Sequence, residues 1–157
     1  MQIFIMRHGD ALLGAKSDKN RSLTLRGINE SCLIANWLKD NDVYIESVLI
    51  SPYKRTIQTF LTIKDILKFT SQDINLDLTP DGKSLSVIQY IKRMQSQGIK
   101  SVLLISHLPL IINLINVLCP EEKLIEFATS SIVFINFCFI TKKHKIVWLI
   151  NPSDIIK

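Results

Sequence analysis

Three short apolar runs, each giving way to a stretch with helical spacing, constrain the fold of this chain more than any other feature. They occupy residues 2–6, 47–50 and 102–105. Each is too short for a helix and carries β-branched residues, the pattern of a strand covered on both faces. Thr24 is placed to cap a helix over 25–41, with Ile28, Cys32, Ala35 and Leu38 on one face. Pro52 suits the first turn of a second helix, where its missing N–H has no partner to lose. That helix is expected to run to 69, with Ile57, Leu61 and Ile66 facing the core. Two more are expected over 84–97, closed by Gly98, and over 108–118. Residues 10–22 lack periodicity and read as a loop, and residues 70–83 read as turns around Thr79-Pro80-Asp81-Gly82. Runs at 131–140 and 145–150 read as a closing hairpin. This alternation predicts an α/β fold, a three-layer α/β/α sandwich with a mainly parallel sheet and a C-terminal antiparallel hairpin. A length of 157 residues suits one domain over 1–157.

Composition narrows the class. With 47% apolar and 21% charged residues the chain can build a core and does not resemble a disordered segment. Cys32, Cys119 and Cys138 are odd in number and widely spaced, which argues for reduced thiols over a disulfide framework or a zinc site. No basic leader with an apolar segment precedes the first strand, and no apolar stretch is long enough to span a bilayer. A cytoplasmic protein without membrane contact is expected. The net charge of +5 comes from scattered residues. The densest cluster, Lys142-Lys143-His144-Lys145, falls between two strand-like runs and reads as a hairpin turn, so nucleic-acid binding is not expected. Cys32, Trp37 and Trp148 read as core, and Asp10 as a loop or supporting group.

The chemistry-bearing residues stand at the ends of the three runs. The first empties into Arg7-His8-Gly9, the second into Ser51-Pro52-Tyr53-Lys54-Arg55-Thr56-Ile57-Gln58-Thr59, and the third into Ser106-His107-Leu108-Pro109. Ligands of open α/β sheets bind at the carboxyl ends of strands. If the three strands are neighbours, all three motifs open onto one rim. Two arginines there would offer planar donor forks to phosphate oxygens, and helix starts near Arg55 and His107 would add positive potential. An imidazole titrating near 6.5 is largely neutral at cellular pH, which suits His8 as a nucleophile. Arg7, Arg55 and a protonated His107 would stabilise the transferring phosphoryl group. Taken singly, such an arginine is commonly a solvated charge and such a histidine a cap; it is their order and spacing together that points to catalysis.

These motifs resemble those of the histidine phosphatase superfamily, the phosphoglycerate mutase-like branch of phosphoryl chemistry, and in particular its short SixA-type phosphohistidine phosphatases. The resemblance covers nearly the whole chain. It implies the phosphoglycerate mutase-like fold, catalytic roles for Arg7, His8, Arg55 and His107, and no metal or other cofactor. Thr24-Leu25-Arg26-Gly27 matches the family's helix start and implies a structural role. Arg21 falls where SixA-type proteins carry an arginine followed by proline, here replaced by Ser22, and is a substrate-binding candidate for the phosphate or the partner protein. Asp77, in Leu76-Asp77-Leu78-Thr79-Pro80, is a loose match to the family's acidic residue. It is a candidate for substrate binding and general acid, with a turn-forming aspartate as the alternative.

Only residues 56–106, 51 positions, separate Arg55 from His107. Larger relatives place lid-forming helices in this interval, so a shallow site open to a protein surface is expected. A phosphoester leaves as an alkoxide and needs a proton donor, whereas phosphohistidine can leave as neutral imidazole. The expected function is that of a monomeric protein phosphohistidine phosphatase working through a phospho-His8 intermediate. Its expected partner is the phosphotransfer (HPt) domain of a histidine kinase or a phosphocarrier protein. The alternatives are a small-molecule phosphomonoester phosphatase or mutase, and a catalytically inactive phosphohistidine-binding module.

Overall fold

The computed structural model describes residues 1–123, 126–138, 140–141 and 143–156. Its strands are β1 (Gln2–Arg7), β2 (Ser47–Ile50), β3 (Ser71–Ile74), β4 (Ser101–Ser106), β5 (Ile132–Phe137) and β6 (His144–Ile150). Its helices are α1 (Leu25–Asp40), α2 (Lys54–Ile63), α3 (Ser84–Ser96), α4 (Leu110–Leu118) and α5 (Pro152–Ile155). The six strands form one sheet in the order β3-β2-β4-β1-β5-β6. The first four run parallel, and β5 and β6 add an antiparallel edge. Register decides where the motifs land. Ile50 pairs with Ile105, and Ile105 with Met6, so the three motif-bearing chains leave the sheet at one level.

Side chains alternate between the two faces of the buried strands. Ile3, Ile5, Leu49, Val102 and Leu104 pack against α3 and α4. Phe4, Met6, Val48, Ile50, Leu103 and Ile105 pack against α1 and α2, with Ile155 of α5 joining them. This is the expected three-layer sandwich. Phe4 stacks on Phe134 at 4.7 Å between ring centroids, and Trp37 meets Trp148 edge-on at 5.3 Å. Both tryptophans are half-buried against this second core, whereas Cys32 is half-buried on α1 outside both cores.

Several details differ from the sequence reading. β3 lies in the segment expected to be turns; its residues, Ser-Gln-Asp-Ile, are all exposed. As an edge strand it is held by its ladder with β2 and carries no apolar run to betray it. Helix α2 stops at Ile63 rather than 69, and Tyr53 is its N-cap, which leaves Pro52 outside the helix. Its inward residues include Thr56, Thr59, Phe60 and Ile63, while Leu61 is exposed. The inner face of α1 is Gly27, Ser31, Ile34, Ala35 and Leu38, with Ile28 turned outward. Helix α4 begins at Leu110, after Leu108 and Pro109. His144 opens β6 instead of lying in the turn, and Lys142 and Phe139 lie outside the described residues. Helix α5 was not foreseen; Asn151 and Asp154 cap it reciprocally. Among the described residues no helix is long and apolar enough to cross a membrane.

Candidate active site

Arg7 is the last residue of β1, and the chain beyond it stays tied to the sheet through His8 N–H donating to Ser106 O at 3.1 Å. His8 is 7% exposed. Its Nδ1 lies 2.7 Å from Gly9 O. A carbonyl only accepts, so the proton sits on Nδ1 and the lone pair is on Nε2, the atom free to attack. Gly9 N–H donates to Thr59 Oγ1 of α2 at 3.0 Å. A Cβ on Gly9 would stand 2.7 Å from Gly27 O, and one on Gly27 would run into the Asp10 backbone. The start of α1 is thus pressed against the loop that carries His8. Asp10 secures that contact, its carboxylate accepting from Thr24 Oγ1 at 2.7 Å while Thr24 accepts from Gly27 N–H. Asp10 and Thr24–Gly27 thus bond one another at the start of α1.

Arg55 is the second residue of α2 and only 3% exposed. Its Nη1 donates to Asp18 O at 2.7 Å and its Nη2 to Asp18 Oδ2 at 3.1 Å. The other Asp18 oxygen accepts from Arg21 Nη1 at 3.1 Å. Arg21 in turn donates through Nε to Leu12 O and through Nη2 to Ala11 O. Arg21 therefore reaches the site's margin, joined to Arg55 by Asp18, and its present bonds are all to its own loop and Asp18. Arg7 Nη1 donates to Phe127 O at 2.9 Å.

His107 is 1% exposed, three residues ahead of α4, with its ring 5.1 Å from that of His8 and 5.0 Å from that of Tyr53. Its Nε2 lies 2.7 Å from Ser51 Oγ. Ser51 is fully buried, and its hydroxyl proton has this nitrogen as its acceptor. Ser51 therefore donates to Nε2, and His107 carries its proton on Nδ1. That nitrogen, together with Arg7 Nε and Arg55 Nε, is buried without a hydrogen-bond partner among the described residues. Three strand ends thus contribute three unpaired N–H donors beside the lone pair of His8. Tetrahedral phosphoryl oxygens are suited to all three.

Electrostatics narrow one expectation. Burial, then the charges of Arg55, Arg7 and Arg21, lower the His8 pKa to about 4 against the opposing pull of the Gly9 carbonyl. Burial, then His8 and Arg55, lower that of His107 to about 2. Both imidazoles are neutral at cellular pH in the protein alone, so a protonated His107 belongs only to the state with a phosphoryl group bound. A bound phosphoryl dianion would reverse the sign of the local field and favour the cation.

Asp77 lies on a single 3₁₀ turn at Leu76–Leu78 that Ser106 Oγ ties to the rim by donating to Leu78 O at 2.7 Å. Its backbone N–H is taken by Asn75 Oδ1, and its carboxylate has no hydrogen bond or ion pair among the described residues. It is half-buried and separate from the four-residue cluster's bonding network. Ser51, Tyr53, Asp18 and Thr59 were not singled out from the sequence. Ser51, Tyr53 and Thr59 lie inside the motif that carried Arg55, and the signal available was their fixed spacing from it.

A mainly parallel α/β sheet whose carboxyl rim gathers two arginines and two histidines defines a phosphoryl-transfer protein, and this chain belongs to the histidine phosphatase superfamily. The family profile of its branch 1 matches residues 3–81. The chain is similar to the phosphohistidine phosphatase SixA of Escherichia coli K12, with 48% identity over 133 residues, covering 84% of this chain and 83% of that protein. It is 34% identical over 164 residues to a phosphohistidine phosphatase SixA homolog of Haemophilus influenzae, covering 99% and 93%. A solved structure of the protein histidine phosphatase SixA complexed with tungstate matches with a TM-score of 0.92 and 42% identity, covering 98% of this chain and 99% of that one.

Proposed function

We propose that this chain is a protein phosphohistidine phosphatase that works through a phospho-His8 intermediate. The observation that carries this reading is the set of three unpaired buried donors, Arg7 Nε, Arg55 Nε and His107 Nδ1, beside the unprotonated Nε2 of a buried histidine. In the first step Nε2 of His8 forms a bond to phosphorus as the bond from phosphorus to the substrate imidazole breaks. That imidazole departs with the electron pair, neutral when its other nitrogen already holds a proton. In the second step a water oxygen bonds to phosphorus, the phosphorus–Nε2 bond breaks, and inorganic phosphate leaves. One difficult displacement becomes two easier ones. The donors stabilise charge on the equatorial oxygens throughout, using cations that belong to the chain.

The names of the most similar relatives support the phosphohistidine assignment, and tungstate, a tetrahedral oxyanion, is bound by one of them. The proposed substrate is an HPt domain of a histidine kinase or a phosphocarrier protein, met in the cytoplasm by a monomeric enzyme. Purified wild type and His8→Ala should be compared on a phosphohistidine-bearing protein and on p-nitrophenyl phosphate. Faster turnover of the protein, lost in the variant together with trappable labelled phosphate, is expected. Equal or better ester hydrolysis would replace this reading with a small-molecule phosphatase, and no turnover of either with a binding module.

A further inference from the structure

The loop between β1 and α1 is tied to the site through one of its residues and presents others to solvent. Ala11 bridges to Leu23, and Leu12 N–H donates to Ser22 O, so the loop closes on itself. Gly14 turns it through a positive φ of 80°. Asp18, itself 54% exposed, bonds both Arg21 and Arg55 and so ties the loop to the phosphoryl-binding pocket. The loop's outer groups are Leu12, 53% exposed, and Leu13, 85% exposed. Lys16 and Lys19 stand exposed on the same loop with no acidic partner among the described residues. At another part of the rim, the 3₁₀ turn tied to the end of β4 shows Leu76, 74% exposed. Single exposed leucines are ordinary, but two in succession on a loop braced against a reactive pocket have no use in the isolated chain's own packing.

We propose that Leu12, Leu13, Lys16 and Lys19, with Leu76 also on the rim, form the docking lip for the protein substrate. The lip selects a phosphohistidine flanked by an apolar side chain and by acidic residues. This inference rests on the phosphatase reading above. Two observations argue for such an occupant: the lip is continuous with the pocket through Asp18 and Arg21, and its unpaired lysines complement acidic groups. Apolar contact at the centre with charge at the margin is how transient partners are held and steered.

The test uses two synthetic peptides phosphorylated on histidine with phosphoramidate, one flanked by Leu and Glu and the other by Ser and Lys, with free phosphohistidine as the control lacking flanks. Wild type should show a kcat/KM at least about tenfold higher for the Leu/Glu peptide at low salt, a margin that narrows as salt rises. Leu12→Ser with Leu13→Ser should remove most of that preference, and Lys16→Glu with Lys19→Glu should reverse its charge component. Neither double variant should change hydrolysis of free phosphohistidine. Equal use of the two peptides by wild type would overturn the docking lip and leave the phosphatase reading standing. So would variants that slow all three substrates alike, because the loop would then act through Arg21 and Arg55. Failure of wild type on all three substrates would overturn the phosphatase reading itself, and the lip with it.

Discussion

Where β1, β2 and β4 end, His8, Arg55 and His107 are each less than a tenth exposed and held by backbone or buried hydroxyl groups. Elsewhere on the rim, the loop over 10–22 and the turn at Leu76–Leu78 show exposed leucines, with exposed lysines on the loop, and each is tied to the centre by few bonds, Asp18 to Arg55 and Leu78 O to Ser106. Burial in the first region strips water from the reacting groups and holds both imidazoles neutral. Exposure in the second leaves surface for another molecule. The contrast suggests that the centre of the rim sets the reaction and its margin sets the substrate. Changes in the centre should therefore slow every substrate, whereas changes at the margin should discriminate among them.

The largest effect after loss of the nucleophile is expected at Arg55. Replacement by Ala removes a buried donor to the phosphoryl oxygens and should lower kcat/KM by about 10²–10³ on peptide, protein and ester substrates alike. A loss confined to protein substrates would move Arg55 from the centre to the margin. Ser51 comes next. Ser51→Ala frees Nε2 of His107 to take the proton and should cost about tenfold, with a shifted pH–rate profile and recovery in Ser51→Thr. An unchanged pH profile would mean that Ser51 merely fills space.

Acidification gives a smaller and graded effect. The unfolded chain binds protons on histidine below about 6.5, but folded His8 does so only near 4 and His107 near 2. Stability should therefore fall as pH drops from about 6.5 towards 4 and return as pH rises. Denaturation midpoints at pH 7.5 and pH 5 should differ for wild type and differ less for His107→Gln; equal sensitivity in the two proteins would contradict a buried neutral imidazole at 107. The smallest change is expected at Asp77. Asp77→Asn should leave phosphohistidine turnover within about threefold while slowing an alkyl phosphomonoester such as phosphoserine more, because an alkoxide needs a proton as it leaves and a neutral imidazole does not. A comparable loss on both would bring Asp77 into the centre.

The sheet and its rim were readable because the candidate site's side chains sit at the ends of apolar runs, where a change from Ile or Met to Arg, Ser or His is conspicuous. Strand β3 was not, since an edge strand satisfied by β2 needs no apolar pattern. The inner face of α1, right at Ala35 and Leu38, was misread at its N-terminal half for a related reason. Gly27 and Ser31 are chosen for closeness to Gly9 and Ser130, and neither carries a hydrophobic signal. The charge state of His107 depends on burial beside His8 and Arg55, a property of three distant segments brought together. The Asp18 link between Arg21 and Arg55 is hidden likewise, in a loop without periodicity.

The facing glycines at 9 and 27 have a consequence for how this chain can vary. Their missing methyl groups act as the spacing gauge between α1 and the proposed nucleophile His8, since a Cβ at either would meet backbone first. A displacement of about 1 Å at a reacting group can cost about 10²-fold in rate. The helix could drift outward with its packing largely preserved, leaving a folded and inactive protein. Two positions with no reactive atoms thus hold a veto over the chemistry, and a survey scored on solubility alone would miss them.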